Sequence, residues 1–412
     1  MTILSGMRVV EGSAFVAVPL AGMTLAQMGA EVIRFDRIGG GLDAGRWPLA
    51  PNGQSLFWAG MNKGKKSVAV NMKSREGRAL ITRIVTAPGP DAGLFLTNLR
   101  VRGWMDYETL KKDRDDLVMV TLTGDRHGRP QVDYTVNPAL GIPHITGPED
   151  SDEPVAHALP AWDLIAGNMC VSALLAAERH RLRGGGGQEV VLALKDVAAA
   201  TLGHLGMIAD ARLNDRDRAK AGNALYGAYG QDFVCADGRR VMVIGLTARQ
   251  WRGLVAATQT QDAITALESA LGISLDDEGN RWRFRAEITD VLRPWFAARR
   301  VDEFENAFNA AGLTWSEFRT VREALDKDPD MGLDNPMFSE VSHPGLGRFP
   351  VPSHPAVFGA VERAHAQPAP PLGSHTEEVL ADVAGLCQTE IAQLFDRGIV
   401  QSPEYSAPRS AA

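Results

Sequence analysis

Met7-Arg8-Val9-Val10-Glu11 and Glu31-Val32-Ile33-Arg34-Phe35 are two short apolar runs. Between them Leu20, Met23, Leu25, Ala26 and Met28 recur at helical spacing, up to a stop at Gly29. Runs of this length suit strands buried on both faces, and the recurrence between them suits a helix. The alternation continues with strand patterns at 66–70, 93–97 and 117–122 and helix patterns at 75–85 and 107–113. Strands that alternate with helices predict an α/β fold with a mostly parallel, doubly wound sheet.

Further along, 161–181 reads as a long helix, apolar on most faces and stopped by Gly184–Gly187. A strand at 189–194, a helix at 196–211 and a polar linker at 214–221 follow. Then the texture changes. A hairpin pattern, 233–235 and 240–244, flanks Asp237-Gly238, and amphipathic helices are expected at 251–257, 286–296 and 301–311. Strand texture resumes near Asn335, the Pro-rich 367–371 reads as an ordered loop, and helices close the chain at 376–384 and 388–397. The expected organisation is therefore a large domain begun by 1–224, a small α+β domain at 225–330, and a return segment at 331–412.

The chain has 412 residues, 45% of them hydrophobic, which is ample for a packed core and excludes wholesale disorder. A net charge of −7 with no basic run argues against nucleic acid as a partner. Lys63, Lys65 and Lys66 form a short basic stretch suited at most to a phosphorylated small molecule. Three cysteines, Cys170, Cys235 and Cys387, sit in no disulfide or zinc spacing, so no metal is expected. No apolar signal core opens the chain and no 18-residue apolar run occurs, so a cytoplasmic protein without a membrane partner is expected. Nucleotide and hydrolase fingerprints are absent, and the glycine runs 39–41 and 184–187 read as turns in preference to phosphate cradles.

Several segments, in order and spanning nearly the whole chain, resemble the class III CoA-transferases, the family of formyl-CoA and carnitine CoA-transferases. They are Gly6-Met7-Arg8-Val9-Val10-Glu11, Gly29-Ala30-Glu31-Val32-Ile33, Asn62-Lys63-Gly64-Lys65-Lys66-Ser67, Gly187-Gln188-Glu189-Val190, His343-Pro344-Gly345 and Thr376-Glu377-Glu378-Val379-Leu380. Narrower strings, Gly39-Gly40-Gly41-Leu42-Asp43, Arg46-Trp47-Pro48, Val132-Asp133-Tyr134 and Pro160-Ala161-Trp162-Asp163, are similar to a subgroup that acts on mesaconyl-CoA. That likeness implies intramolecular transfer of CoA between the C1 and C4 carboxyls of one dicarboxylic acid. The alternatives are transfer from an acyl-CoA such as succinyl-CoA to a free acid, and a non-catalytic acyl-CoA-binding protein.

The resemblance implies a Rossmann-like large domain completed by the C-terminal tail, in an interlocked, ring-like homodimer. CoA enters as part of the thioester substrate, with no permanently bound cofactor. Asp163 matches the family nucleophile, a carboxylate that attacks the thioester; on residue chemistry alone a helix N-cap is the better reading. CoA contacts are implied for Arg37, Val70, Met72, Lys73, Asn98 and Leu99, with Arg100 and Arg102 as phosphate partners. Arg46 is expected to hold the far carboxylate, its alternative being a surface pair with Asp43. Val16 stands where formyl-CoA transferase has glutamine, and Thr123 where it has lysine, so the acid pocket differs. Tyr226, Gly227, Tyr229 and Gly230 belong to an expected glycine-rich lid. In Gln131-Val132-Asp133 a valine replaces the histidine of the related racemases, and valine cannot carry a proton.

Overall fold

A computed structural model describes residues 2–101 and 103–403. The strands of the first unit begin with β1 (Arg8–Gly12), β2 (Glu31–Arg37), β3 (Lys66–Val70), β4 (Leu94–Thr97), β5 (Val118–Thr123) and β6 (Gln188–Ala193). Then come β7 (Tyr229–Val234), β8 (Arg240–Gly245), β9 (Thr314–Glu317), β10 (Phe338–His343), β11 (Gly347–Pro352) and β12 (Val400–Gln401). Among the described residues one sheet runs β12-β3-β2-β1-β4-β5-β6, with every pair parallel except β12 against β3. The expected doubly wound sheet is thus present, and the C-terminal tail supplies its last strand.

Helices cover both faces of the central strands, which is why β1, β3, β4 and β5 carry buried apolar stretches. On one face Val10, Ile33, Phe35, Val68, Val70 and Phe95 pack with Leu80, Ile81 and Ile84 of helix Arg75–Val85. Val379 and Leu380 of helix Thr376–Asp382 and Ile391 and Leu394 of helix Gln388–Asp396 join the same core. Helices Ala17–Gln27 and Ala161–His180 pack on each other and on the central strands. Gly167 lets them approach: a Cβ there would lie 2.7 Å from the Ala17 carbonyl oxygen and 3.0 Å from Leu20. The order of strands reverses at β1, whose neighbours β2 and β4 lead to opposite edges. The crevice beyond the carboxyl ends at such a reversal is where open α/β sheets bind ligands.

The chain divides into two compact units: Met1–Leu140, Ala158–Ala209 and Pro329–Ala412 in the first, Gly141–His157 and Asp210–Asp328 in the second. The expected boundary near 224 therefore lies earlier, and 141–157 joins the second unit. Its polar partners explain why. Gly147 accepts from the Gly222 amide at 3.2 Å, Glu149 pairs with Arg285 at 2.8 Å, and Glu153 accepts from Lys220. The second unit is built on the antiparallel sheet β7-β8-β9. Its core is aromatic: Phe233 stacks on Phe296 at 4.3 Å, and Phe304, Phe308 and Trp251 join the cluster.

Candidate active site

Asp163 lies in the first turn of helix Ala161–His180, after Pro160. It does not cap that helix. Asp133 does: its Oδ2 accepts from the Trp162 amide at 2.7 Å and from the Asp163 amide at 3.4 Å. Asp133 is itself buried in the first turn of helix Asp133–Ala139. One turn on, Asn137 accepts from the Trp162 indole at 3.1 Å. The two helices are thereby pinned together at the point where Asp163 projects. Burial pushes the Asp163 carboxyl up to about 7; the Asp133 charge adds to the rise and Arg46 opposes it.

Arg46 does not pair with the Asp43 carboxylate. Its guanidinium lies over the rings of Phe15 at 4.7 Å and Phe57 at 5.3 Å. Phe15 adopts a φ of 66°, rare for a bulky residue, in the turn after β1. Its amide donates to Asp43 Oδ1 at 2.9 Å. Asp43 Oδ2 is 2.9 Å from Arg34, which also donates to Asp36 at 2.9 Å and to Asn62 at 3.1 Å. Next to this group, Glu11 and Lys65 form a buried ion pair at 2.8 Å. Gly22 makes room for it, since a Cβ there would lie 1.7 Å from Glu11. The turn after β1 is held a second time by Asn98, which accepts from the Ala14 amide and donates to its carbonyl.

The expected CoA contacts follow the carboxyl ends of β2, β3 and β4 and so share one edge of the sheet. Their side chains are not equivalent. Arg37 is exposed and its Nε donates to the Gly40 carbonyl at 2.6 Å, closing the glycine turn. Val70 is fully buried beneath helix Arg75–Val85, so its side chain belongs to the core and only its backbone can meet a ligand. Met72 and Leu99 pack on the rim of that core, and Lys73 is exposed. Arg100 is exposed and rests on Gly128, whose Cβ would lie 1.8 Å from it. Arg102 falls outside the described residues. The basic stretch is engaged within the protein: Lys63 donates to the Pro352 carbonyl, Lys65 pairs with Glu11, and Lys66 with Glu31 and Glu378. Val16 is buried in the turn after β1, and Thr123 donates to the Asp125 carbonyl.

The expected lid lies in the second unit. Tyr229 and Gly230 are paired with Gly245 and Ile244 in the sheet, and the Tyr229 hydroxyl is bonded to Thr289 at 3.1 Å. Only 226–228 therefore lie outside β7. Tyr226 packs against Trp282 with ring centroids 4.8 Å apart and the rings tilted by 54°, and it carries Arg218 at 3.7 Å on its ring. Asp133, Phe15, Phe57 and the Arg34–Asp43 pair were not singled out as site residues by sequence reasoning. The one visible signal was charge within the apolar run of β2, at Arg34 and Asp36.

Residues 4–376 match the family model described as CoA-transferase family III. The chain belongs to CoA-transferase family III. The transferase is 54% identical to 2-methylfumaryl-CoA isomerase of Chloroflexus aurantiacus, over 98% of this chain and 99% of that protein. It is 28% identical to succinyl-CoA:glutarate CoA-transferase of Mus musculus, over 97% of this chain and 91% of that one. Among solved structures, a CAIB/BAIF family protein from Brucella suis superposes with a TM-score of 0.75 at 23% identity, covering 93% and 99% of the two chains. At that identity the likeness carries the fold. Among the described residues of the transferase, no cluster of His, Cys, Asp and Glu is arranged for a metal ion, and no helix is long and apolar enough to cross a membrane.

Proposed function

We propose that this enzyme moves CoA between the C1 and C4 carboxyls of mesaconyl-CoA, with Asp163 as the nucleophile. The observation that carries the reading is a partly buried carboxyl at a helix start, raised to about 7, with a cation and two aromatic rings grouped in the same unit. The name of the 54% identical relative supports the choice of acyl group.

Ionised Asp163 attacks the thioester carbonyl. A C–O bond forms, the C–S bond breaks, and CoA leaves as thiolate, giving a mixed anhydride. The thiolate then attacks the Asp163 carbonyl and expels the dicarboxylic acid as its anion, giving an aspartyl-CoA thioester. The freed acid turns end for end, and its other carboxylate repeats the two steps in reverse. Arg46, whose guanidinium lies over the rings of Phe15 and Phe57, holds the carboxylate that is not reacting. The crevice beyond β2, β3 and β4 takes the CoA, with Arg37, Arg100 and Arg102 directed to its phosphates. Residues 226–228 form the moving part of the lid. The working form is an interlocked homodimer.

The test uses one purified acyl-CoA. Mesaconyl-C1-CoA incubated with the enzyme and no added acid should give mesaconyl-C4-CoA by mass-resolved chromatography. Conversion that requires added free acid would make the enzyme an intermolecular transferase. Binding with no conversion under either condition would make it an acyl-CoA-binding protein.

A further inference from the structure

Asp133 and Asp163 share the start of one helix. The Asp133 carboxylate is 1% exposed and bonded to both the Trp162 and Asp163 amides. It is fixed by a helix of its own, whose Asn137 holds the neighbouring indole. We infer that Asp133 is a positioning residue for the reaction: it occupies the amides at the start of the nucleophile's helix and sets a second negative charge beside the reacting carboxyl. The inference rests on the reading of Asp163 as the nucleophile.

A carboxylate in the first turn of a helix ordinarily gains from the amides and the dipole there. Here Asp133 engages those amides. Asp163 is left with partial burial and a like charge, opposed by Arg46. Its carboxyl is therefore more basic than an ordinary carboxylic acid, which ionises near about 4.

That difference decides how the mixed anhydride breaks. The CoA thiolate faces two carbonyls. Attack on the acyl carbonyl makes that C–S bond and breaks the C–O bond to Asp163, which leaves as carboxylate and regenerates substrate. Attack on the Asp163 carbonyl makes the enzyme thioester and breaks the C–O bond to the dicarboxylic acid, which leaves as its anion. No proton or redox partner enters either step. The less basic carboxylate is the better leaving group, so a basic Asp163 directs the anhydride forward to the enzyme thioester. Asp133 thus sets how much of the enzyme stands as covalent CoA thioester during turnover.

The experiment combines two readouts on the full chain. Acid-quenched intact-protein mass during turnover of mesaconyl-C1-CoA measures the thioester fraction, and the pH profile of kcat/KM measures the ionisation of the free enzyme. Asp133→Asn keeps a capping oxygen and removes the charge. It should move the acidic limb down by about one pH unit and lower the thioester-to-free ratio about tenfold. Asp133→Ser, a second capping residue, should do the same and carries the test if the asparagine variant fails to fold. An unmoved acidic limb with an unchanged ratio overturns the inference while leaving the nucleophile in place. Absence of thioester in the wild type, or its persistence in Asp163→Ala, overturns the nucleophile reading and this inference with it.

Discussion

Arg34 Nη2 and Asp43 Oδ2 lie 2.9 Å apart, with both side chains only 1% exposed. Arg34 belongs to β2, and Asp43 to the loop that follows it. Through its other oxygen Asp43 holds the amide of Phe15 in the turn after β1. The pair therefore ties together the two loops that wall the crevice and fixes the ring on which Arg46 rests.

Breaking that pair should be costly. Asp43→Asn leaves a buried guanidinium short of one charge partner, for a loss of about 3 kcal/mol. Phe15, no longer anchored at positive φ, should relax by turning its ring. Urea unfolding should report the loss, and KM should rise with it. Stability unchanged within error would mean that Asp43 does not organise the loop.

Helix approach gives a second contrast. Gly167→Ala would drive a methyl against the Ala17 backbone, whereas Gly60, in helix Leu56–Met61, faces open space. Gly167→Ala should cost about 1–3 kcal/mol by overpacking. Gly60→Ala should stabilise by a few tenths up to about 1 kcal/mol. Thermal melting of the two variants checks the sign of each.

Asp163 makes pH dependence explicit. Its folded pKa is raised, so between about pH 4 and about pH 7 the native state holds a proton that the unfolded state has released. Stability from this group is present at low pH and lost as pH rises through that window. Asp163→Asn should raise Tm at pH 8, by the equivalent of about 2 kcal/mol after allowing for partial exposure, and change it little at pH 4. In the wild type, kcat/KM should fall about tenfold per unit below about pH 7, as the attacking carboxylate becomes protonated. A flat profile down to pH 5 would contradict the raised carboxyl.

Arg46 has two separable effects. Arg46→Lys keeps a charge and loses the planar fork, so use of a dicarboxylic acyl-CoA should weaken by about tenfold or more. A monocarboxylic analogue of similar size should be little affected. Arg46→Met also removes the charge that draws the Asp163 carboxyl down, so its acidic limb should shift to higher pH. Equal losses on both substrates would transfer the carboxylate clamp to Arg100 or Arg102.

The sheet was legible because its central strands are buried and carry short apolar stretches, broken in β2 by Arg34 and Asp36. The expected strands 7–11 and 31–35 appear as Arg8–Gly12 and Glu31–Arg37, and the helix 161–181 as Ala161–His180. Strand β9, with Thr-Trp-Ser-Glu, is too short and too half-buried to announce itself, and helix Gln261–Leu271 was likewise not anticipated. That 141–157 joins the second unit depends on partners at 220, 222 and 285, which no local pattern reveals. The charge network was hidden for the same reason: Arg34, Asp43, Glu11 and Lys65 come from four segments. Asp163 stood out by resemblance alone, since residue chemistry by itself favours an N-cap. The cap is Asp133, a residue noted in the sequence only as the neighbour of Val132.

The most direct measurement is hydroxylamine trapping during turnover of mesaconyl-C1-CoA, followed by peptide mass. A hydroxamate is expected on the peptide that contains Asp163, at that residue, and none in Asp163→Ala, which should also have lost turnover. A hydroxamate at another carboxylate, or an Asp163→Ala variant that still turns over, would contradict it.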